Sequence, residues 1–332
     1  MPTQLPNPRV SPRFAGIVTF GRYPRLEDVA AEHLPLDWVV YGVPFDSGVT
    51  YRPGARFGPR AMREASQYLK RFHIEHNVDV CEKLSMADAG DAPVKPYDLR
   101  ENAMGVAEWA TGLTPQSRGH TKLLALGGDH SIAYANIRAT WVRQGSPKGG
   151  LALVHFDSHL DTVDAVWGNQ WGHASPFIRA IEDGLIDPRR MLSIGIKGPL
   201  NSAGDLDYAK SKGIRIVTRE DAARLGMHSG GGCEQMLGEF VRSLGGAPAY
   251  VTFDIDAVDP AFAPGTGTPS VGGFTSSEAL ALLRWLKGIN IVGGDVVEVL
   301  PDRDPAGITS FLAAHVVFEM LALGAIGPSS RA

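Results

Sequence analysis

Asp157, His159 and Asp161 stand two apart in the stretch HFDSHLD at 155–161, and in an extended segment that spacing turns all three side chains to one face. Carboxylates and an imidazole gathered in this way are ligands for a divalent metal. The stretch TFDIDAVDP at 252–260 repeats the device with Asp254 and Asp256, and GGDHS at 127–131 adds His130 behind an apolar run. One ion with room left for water or substrate cannot readily use two imidazoles and four carboxylates, whereas two ions sharing bridging carboxylates can. A binuclear hydrolytic site is therefore expected.

Four ionised Asp side chains crowded together repel one another, and burial would raise their pKa values until they protonated. Two divalent ions cancel that charge. With a hydroxide between them the cluster stays near minus one, which suits a cationic substrate. The cysteine-free, oxygen-rich ligand set points away from a structural zinc site and toward a harder ion such as manganese; nickel and iron stay open because imidazole accepts them. Taken alone, an Asp-x-His-x-Asp triplet is more often a solvated turn or a helix cap. Here the apolar runs LALVHF, APAYVTF and LLALGG, each of strand length, precede the three clusters, as expected where a parallel sheet holds its ligands at the carboxyl edge.

The elements that must position these residues follow the same alternation. Strand-like runs at 37–43, 122–126, 151–156, 191–196, 214–217, 249–253 and 291–299 are interleaved with helix-like stretches such as 59–70, 101–113, 174–184, 276–287 and 308–323. That order predicts an α/β fold whose right-handed crossovers keep the strands parallel. No Ser/Gly/Pro linker divides the chain, so residues 1–332 are expected to form a single domain, with the Pro- and Arg-rich residues 1–35 as an irregular arm packed on the body or on a neighbouring subunit. The glycines of SGGGCEQM at 229–236 lack the Lys-Ser/Thr of a phosphate-binding loop and read as a loop entering a helix.

Composition narrows the function classes. An apolar content of 44% supplies a core, and a net charge of −4 spread along the chain offers no footprint for nucleic acid. The N-terminus shows no secretory signal. The run ITSFLAAHVVFEMLALGAIG at 308–327 is long enough to raise a membrane question, but His315 and Glu319 inside it favour an amphipathic or buried closing helix, so no membrane partner is expected. Cys81 and Cys233 form no close motif, which fits a reducing cytoplasm. Among the other histidines, His155 reads as a satisfied core residue, His73 and His76 as solvent contacts beside a charged stretch, and His120 and His228 as lacking clustered ligand partners.

GGDHS, DSHLD, FDIDAVDP followed by PGTGTP, and DVVEV at 295–299 resemble the ordered signatures of the ureohydrolases, the arginase and agmatinase family. GVPFDSGVTYRPGARFGPRAMREAS at 42–66, GLIDPRR and IGIKGP resemble the agmatinase-like branch and carry the match over most of the chain. The resemblance implies a three-layer α-β-α sandwich of the arginase/deacetylase type. It assigns one metal to His130, Asp157, Asp161 and Asp254, and the other to Asp157, His159, Asp254 and Asp256. It gives Glu298 the guanidinium, His173 of WGHASPF the role of a mobile proton shuttle, and Asp129 and Asp295 places just outside the ligands. The implied reaction hydrolyses a guanidino C–N bond to urea, or a urea derivative, and an amine.

Agmatine or a guanidinoalkanoate is the family-based substrate; guanidine or a methylated biguanide such as metformin is the alternative. Agmatinase-like sequences place Thr-His-Gly around the shuttle histidine, whereas this chain reads Trp171-Gly172-His173-Ala174-Ser175. Trp167 and Trp171 are candidate substrate contacts through stacking, or else loop anchors, and Thr268 is a third candidate contact. The family's usual trimer or hexamer is the expected assembly, either of this chain alone or with a related one. Two other classes stand beside this reading: a single-metal amide deacetylase on the related fold, which uses fewer ligands, and a non-catalytic partner subunit.

Overall fold

The computed structural model describes residues 2–328. Eight parallel strands form one sheet in the order β4-β1-β5-β10-β9-β6-β7-β8. They are β1 (Trp38–Gly42), β4 (Met86–Asp91), β5 (Lys122–Leu126), β6 (Leu151–Phe156), β7 (Ile186–Ile196), β8 (Arg215–Thr218), β9 (Ala249–Asp254) and β10 (Ile291–Val297). A small antiparallel pair, β2 (Phe72–His73) and β3 (Val78–Asp79), lies apart from it. The central strands are covered on both faces, which is why LALVHF and AYVTF read as unbroken apolar runs.

Strand residues alternate between two packed layers. Val40, Leu124, Leu126, Val154, Phe156 and Val251 join the core under α1 (Gly58–Ser66), α8 (Gly232–Ser243), α9 (Ser276–Arg284) and α10 (Ile308–Ile326). Val39, Tyr41, Leu123, Ala125 and Leu153 face α3 (Leu99–Gly112), α4 (Ala133–Arg143) and α5 (Pro176–Glu182) on the other side. This is the α/β arrangement that the pattern predicts, in the three layers that the family resemblance implies. α8 starts at Gly232, so the glycine run does lead into a helix. α10 is apolar all round because it is enclosed: it packs on α1, α9 and β10, and most of its length is buried.

The differences have local causes. β4 is an edge strand of sequence MADAGD, too polar to read as a strand, and its Asp88 is buried only because Arg63 on α1 meets it with two guanidinium nitrogens at 2.8 and 3.0 Å. β7 begins five residues earlier than expected, and its register on β6 slips between Leu151 and Leu153 to take in the polar Asp187–Arg190. Residues 2–35 contain short 3-10 turns and one β-bridge, from Arg25 to Asp88, and they pack on the same chain: the Phe20 N–H donates to Asp88 (2.7 Å) and the Gly21 N–H to Ser66 (2.8 Å).

His73 is a correction. It is buried, not in solvent, with Nε2 2.8 Å from Glu319 Oε2 on α10. The His76 N–H donates to its Nδ1 (3.1 Å), so His73 carries its proton on Nε2 and donates it to Glu319. Arg284 of α9 meets the other Glu319 oxygen at 2.6 and 2.8 Å. His73 and Glu319 are 246 residues apart, so no local pattern announces the pair.

Glu319→Ala would leave buried His73 without its acceptor and Arg284 with Glu75 alone (3.1 Å), and is expected to cost about 1–3 kcal/mol in chemical denaturation. Burial raises the Glu319 carboxyl, but the bonds from His73 and Arg284 outweigh it and leave the folded value below the ordinary one. The stabilisation is therefore complete above the ordinary glutamate range and is lost as pH falls through the lowered value. Denaturation curves from pH 3 to 7 should show this acid-sensitive component in the parent and not in Glu319→Gln.

Candidate metal centre and substrate cleft

The four central strands β5, β10, β9 and β6 end side by side, and each releases site residues at its carboxyl end. After β5 the chain passes Gly127 and Gly128 into a 3-10 turn, with Asp129 as cap and His130 as its first residue. A Cβ at Gly128 would overlap Phe45 O, so only glycine lets the two backbones meet there. The Glu298 N–H donates to Gly128 O (2.9 Å), tying the end of β10 to the same turn. Asp157 follows β6; Asp254 ends β9 and accepts the Asp256 N–H at 2.8 Å. Asp161 and Glu298 hold left-handed backbone, with φ of 51° and 64°, a conformation that costs energy for residues carrying a side chain.

The six expected ligands converge. His130 Nδ1 lies 3.0 Å from Asp157 Oδ2, 2.9 Å from Asp161 Oδ2 and 3.3 Å from Asp254 Oδ2. His159 Nδ1 lies 3.3 Å from Asp157 Oδ1 and 3.2 Å from Asp256 Oδ2. Asp157 thus turns one oxygen to each histidine. Atoms held about 2.0–2.2 Å from a common ion are roughly 3 Å apart, which is the spacing seen. Buried His130 Nδ1 also has no hydrogen-bond partner. Burial disfavours a charged imidazole at both positions, but Asp256 and Asp157 overrule it and push His159 up to about 12, and the adjacent carboxylates of Asp157, Asp161 and Asp254 raise His130 well above its usual value. Asp254 is raised by burial and then by Asp256 and Asp157. The cluster demands positive charge, and the donor set fits two divalent cations.

Behind the ligands runs a polar brace. His130 Nε2 is 2.9 Å from Thr252 Oγ1, whose hydroxyl donates to Asp295 Oδ1 at 2.5 Å; Asp295 Oδ2 accepts from Tyr250 (2.7 Å). The Thr252 oxygen therefore accepts the Nε2 proton, and Nδ1 keeps a free lone pair for an ion. Thr252 was not singled out by sequence reasoning. Its signal was its place two before Asp254 in the strand, which puts it on the ligand face. His155 is core, as expected, yet its Nε2 also meets Asp157 Oδ2 at 2.9 Å while Nδ1 meets Ser193 at 3.1 Å. Lys197, also missed, reaches Asp256 O at 2.8 Å, and Thr268 donates to Asp256 Oδ2 at 3.1 Å.

His173 and Glu298 meet beside this centre. His173 Nδ1–H donates to Glu298 Oε1 (2.8 Å), and Nε2 lies 3.0 Å from the Thr50 nitrogen and 2.8 Å from the Thr50 hydroxyl oxygen, which accepts its proton when the ring is charged. Burial works against a charged His173, but Glu298 outweighs it and pushes the ring up to about 9. Glu298 Oε1 also accepts the His130 N–H (2.9 Å), while Oε2 is buried without a partner. Asp129, pushed up to about 7 by burial and then by Glu298, accepts the Gly48 N–H at 2.8 Å; Gly48 O in turn accepts the His173 N–H at 2.9 Å. The 46–50 loop thus clasps His173 by ring and backbone, a role that the sequence reading did not give to Thr50.

A cleft of about 430 Å3 opens over the centre, lined by Thr50, His159, Asp161, His173, Asp254 and Thr268 and, toward its mouth, by Val163, Val166, Trp167, Leu200, Asn201 and Asp205. Trp171 is a correction: it does not line the cleft but presents its ring to Tyr134 edge-on at 5.0 Å, with the Arg100 guanidinium 6.0 Å away over its face. It is a loop anchor.

Thr252→Val removes the acceptor that fixes His130 and is expected to weaken metal binding about 10–100-fold without unfolding the chain. Competition titration against a chelating dye measures this.

A family model described as the arginase family matches residues 36–322. Guanidinopropionase of Pseudomonas aeruginosa is 42% identical over 94% of this chain and 93% of its own length. The solved structure of proclavaminate amidinohydrolase from Streptomyces clavuligerus is 40% identical, with a TM-score of 0.84 over 95% of this chain and 99% of that one. The arginase structure from Bacillus subtilis is 27% identical, with a TM-score of 0.70 over 86% of this chain and 98% of that one. With near full-length matches of this kind, the chain belongs to the arginase family.

Proposed function

We propose that the chain is a metal-dependent amidinohydrolase that cleaves a C–N bond of a small guanidino compound, releasing urea or a urea derivative and an amine. One observation carries the reading: beside six converging ligands, buried Glu298 Oε2 has no partner, and a guanidinium supplies the N–H donors that such an oxygen lacks. His130, Asp157, Asp161 and Asp254 would hold one ion, and Asp157, His159, Asp254 and Asp256 the other. When bound, the ions lower the pKa of a water near them and so make a nucleophile available at neutral pH.

The chain's own residues supply the rest. Glu298 orients the guanidinium by accepting its N–H groups, and the same contact places His173 against the reacting group. As water oxygen bonds to the guanidino carbon, the C–N bond breaks and its electron pair goes to the leaving nitrogen, which then takes a proton. His173, charged at neutral pH beside the Glu298 carboxylate, is the donor in position: it gives one proton to the leaving nitrogen and becomes neutral, keeping its other ring proton. Deep placement of Glu298, 1% exposed, strengthens the ion pair by excluding water.

The oxygen-rich ligands favour Mn2+, with Ni2+ the alternative. A single domain and a homo-oligomer, trimeric or hexameric, complete the proposal. Cys81 and Cys233 are both free and buried, which supports a cytoplasmic setting.

Elemental analysis of the active protein is expected to give two divalent ions per chain, and a chelator should abolish urea release until metal is restored. Asp157→Asn should lower occupancy at both positions, since each histidine faces one of its oxygens; a fully active protein with one ion would instead support a single-metal deacetylase-like site. His173→Asn should keep both ions but lower turnover by about 10²–10⁴. Glu298→Gln should raise KM and lower kcat together, because the ion pair acts in both bound states.

A further inference from the structure

Trp167 sits in a backbone conformation that its own side chain disfavours. Val166 and Asn169 exchange both backbone hydrogen bonds at 2.9 Å, closing a two-residue hairpin whose central residues, Trp167 and Gly168, are left-handed at φ 51° and 78°. Such turns favour Asn, Asp or Gly at the first position. The fold gains no burial in return, since Trp167 is 83% exposed. The hairpin is nonetheless anchored: the Trp171 N–H donates to Asn169 Oδ1 at 2.8 Å, and the Trp171 ring is packed on Tyr134. One tryptophan holds the loop, and the other is displayed at the mouth of the cleft.

The charges around that mouth are one-sided. Among the described residues that line the cleft there is no Lys or Arg, while Asp205 lies at its outer end, held by the Asn201 N–H (2.9 Å) and the Ser202 hydroxyl (3.2 Å). Arg52, two residues from Thr50, is drawn aside onto Tyr51, with its guanidinium 4.7 Å over that ring. A substrate carboxylate reaching outward from the metals would meet indole, aliphatic side chains and Asp205 with no cation to pair with. An alkyl tail would lose water against the same surface.

Building on the hydrolase reading, we propose that this cleft selects guanidines whose non-reacting end is an apolar, non-anionic substituent and rejects guanidino acids, with Trp167 as the specificity-determining platform and Asp205 as the charge filter. The left-handed turn aims the indole over the tail. Rejection of acids comes from the missing cation and the fixed carboxylate together.

The test compares butylguanidine, 4-guanidinobutyrate and unsubstituted guanidine on the metal-loaded protein, by kcat/KM and by calorimetric binding. Butylguanidine should exceed 4-guanidinobutyrate by at least about tenfold in both. Trp167→Ala should lower the butylguanidine-to-guanidine ratio about tenfold, and Asp205→Asn should narrow the gap to 4-guanidinobutyrate. Trp167→Asn, which suits the turn, should raise Tm while losing the same ratio, an outcome that a structural role for the indole does not give. If no compound is turned over yet the binding order holds, the hydrolase reading falls and the selectivity stands. If 4-guanidinobutyrate is bound and turned over as well as butylguanidine, or Trp167→Ala leaves the ratio unchanged, the selectivity is overturned.

Discussion

Like charge brought together is the constraint on which this molecule turns. Asp157, Asp161, Asp254 and Asp256 are all buried at one sheet edge, where their repulsion is poorly screened. The surrounding protein concentrates every available compensation there. His130, His155 and His159 all close on Asp157, so that although burial would raise its carboxyl, it is drawn well below the usual range. Asp254 shows the opposite response, held up by burial and its acidic neighbours. Two carboxylates a few ångströms apart, pushed in opposite directions, describe a site built around positive charge that side chains only partly provide.

Glycine contacts and backbone strain in the frame follow from that demand. Bringing four carboxylates and two imidazoles together at one sheet edge requires backbones to approach more closely than side chains permit, hence Gly128 against Phe45, and left-handed turns at Asp161 and Glu298. The polar brace through Thr252 to Asp295 decides which histidine nitrogen faces inward. A parallel sheet suits this work because neighbouring strands deliver their ends to one edge.

The grouping of the expected ligands within each segment was legible in the sequence, because a two-residue spacing in an extended stretch fixes a shared face whatever the tertiary structure, whereas the meeting of the three segments comes from the sheet order. The central strands were legible for the same reason, being apolar throughout. Thr50 and Thr252 were not, since a threonine acquires meaning only from what it meets, and each meets a histidine more than a hundred residues away. β4 was hidden because its aspartates are neutralised by Arg63 from another element. His73 deceived for the converse reason, its charged neighbourhood suggesting solvent while Glu319 waited in an apolar helix. Trp167 and Trp171, four apart in one loop, look equivalent on paper; only the left-handed turn separates display from anchorage.

The position of β10 in the sheet has a consequence for how the site comes into being. β10 is the last strand in the chain, yet it lies between β5 and β9, the strands that carry His130 and Asp254. Until it is inserted, the sheet consists of two separate halves, one ending in His130 and the other in Asp157 and Asp254, with no strand pairing between them. Synthesis from the N-terminus therefore delivers the ligands long before it delivers the strand that unites them, and the contact joining His130 to Glu298 spans 168 residues. Such non-local closure is a late event in folding. A nascent chain lacks the complete cluster of carboxylates and imidazoles, which belongs to the finished molecule.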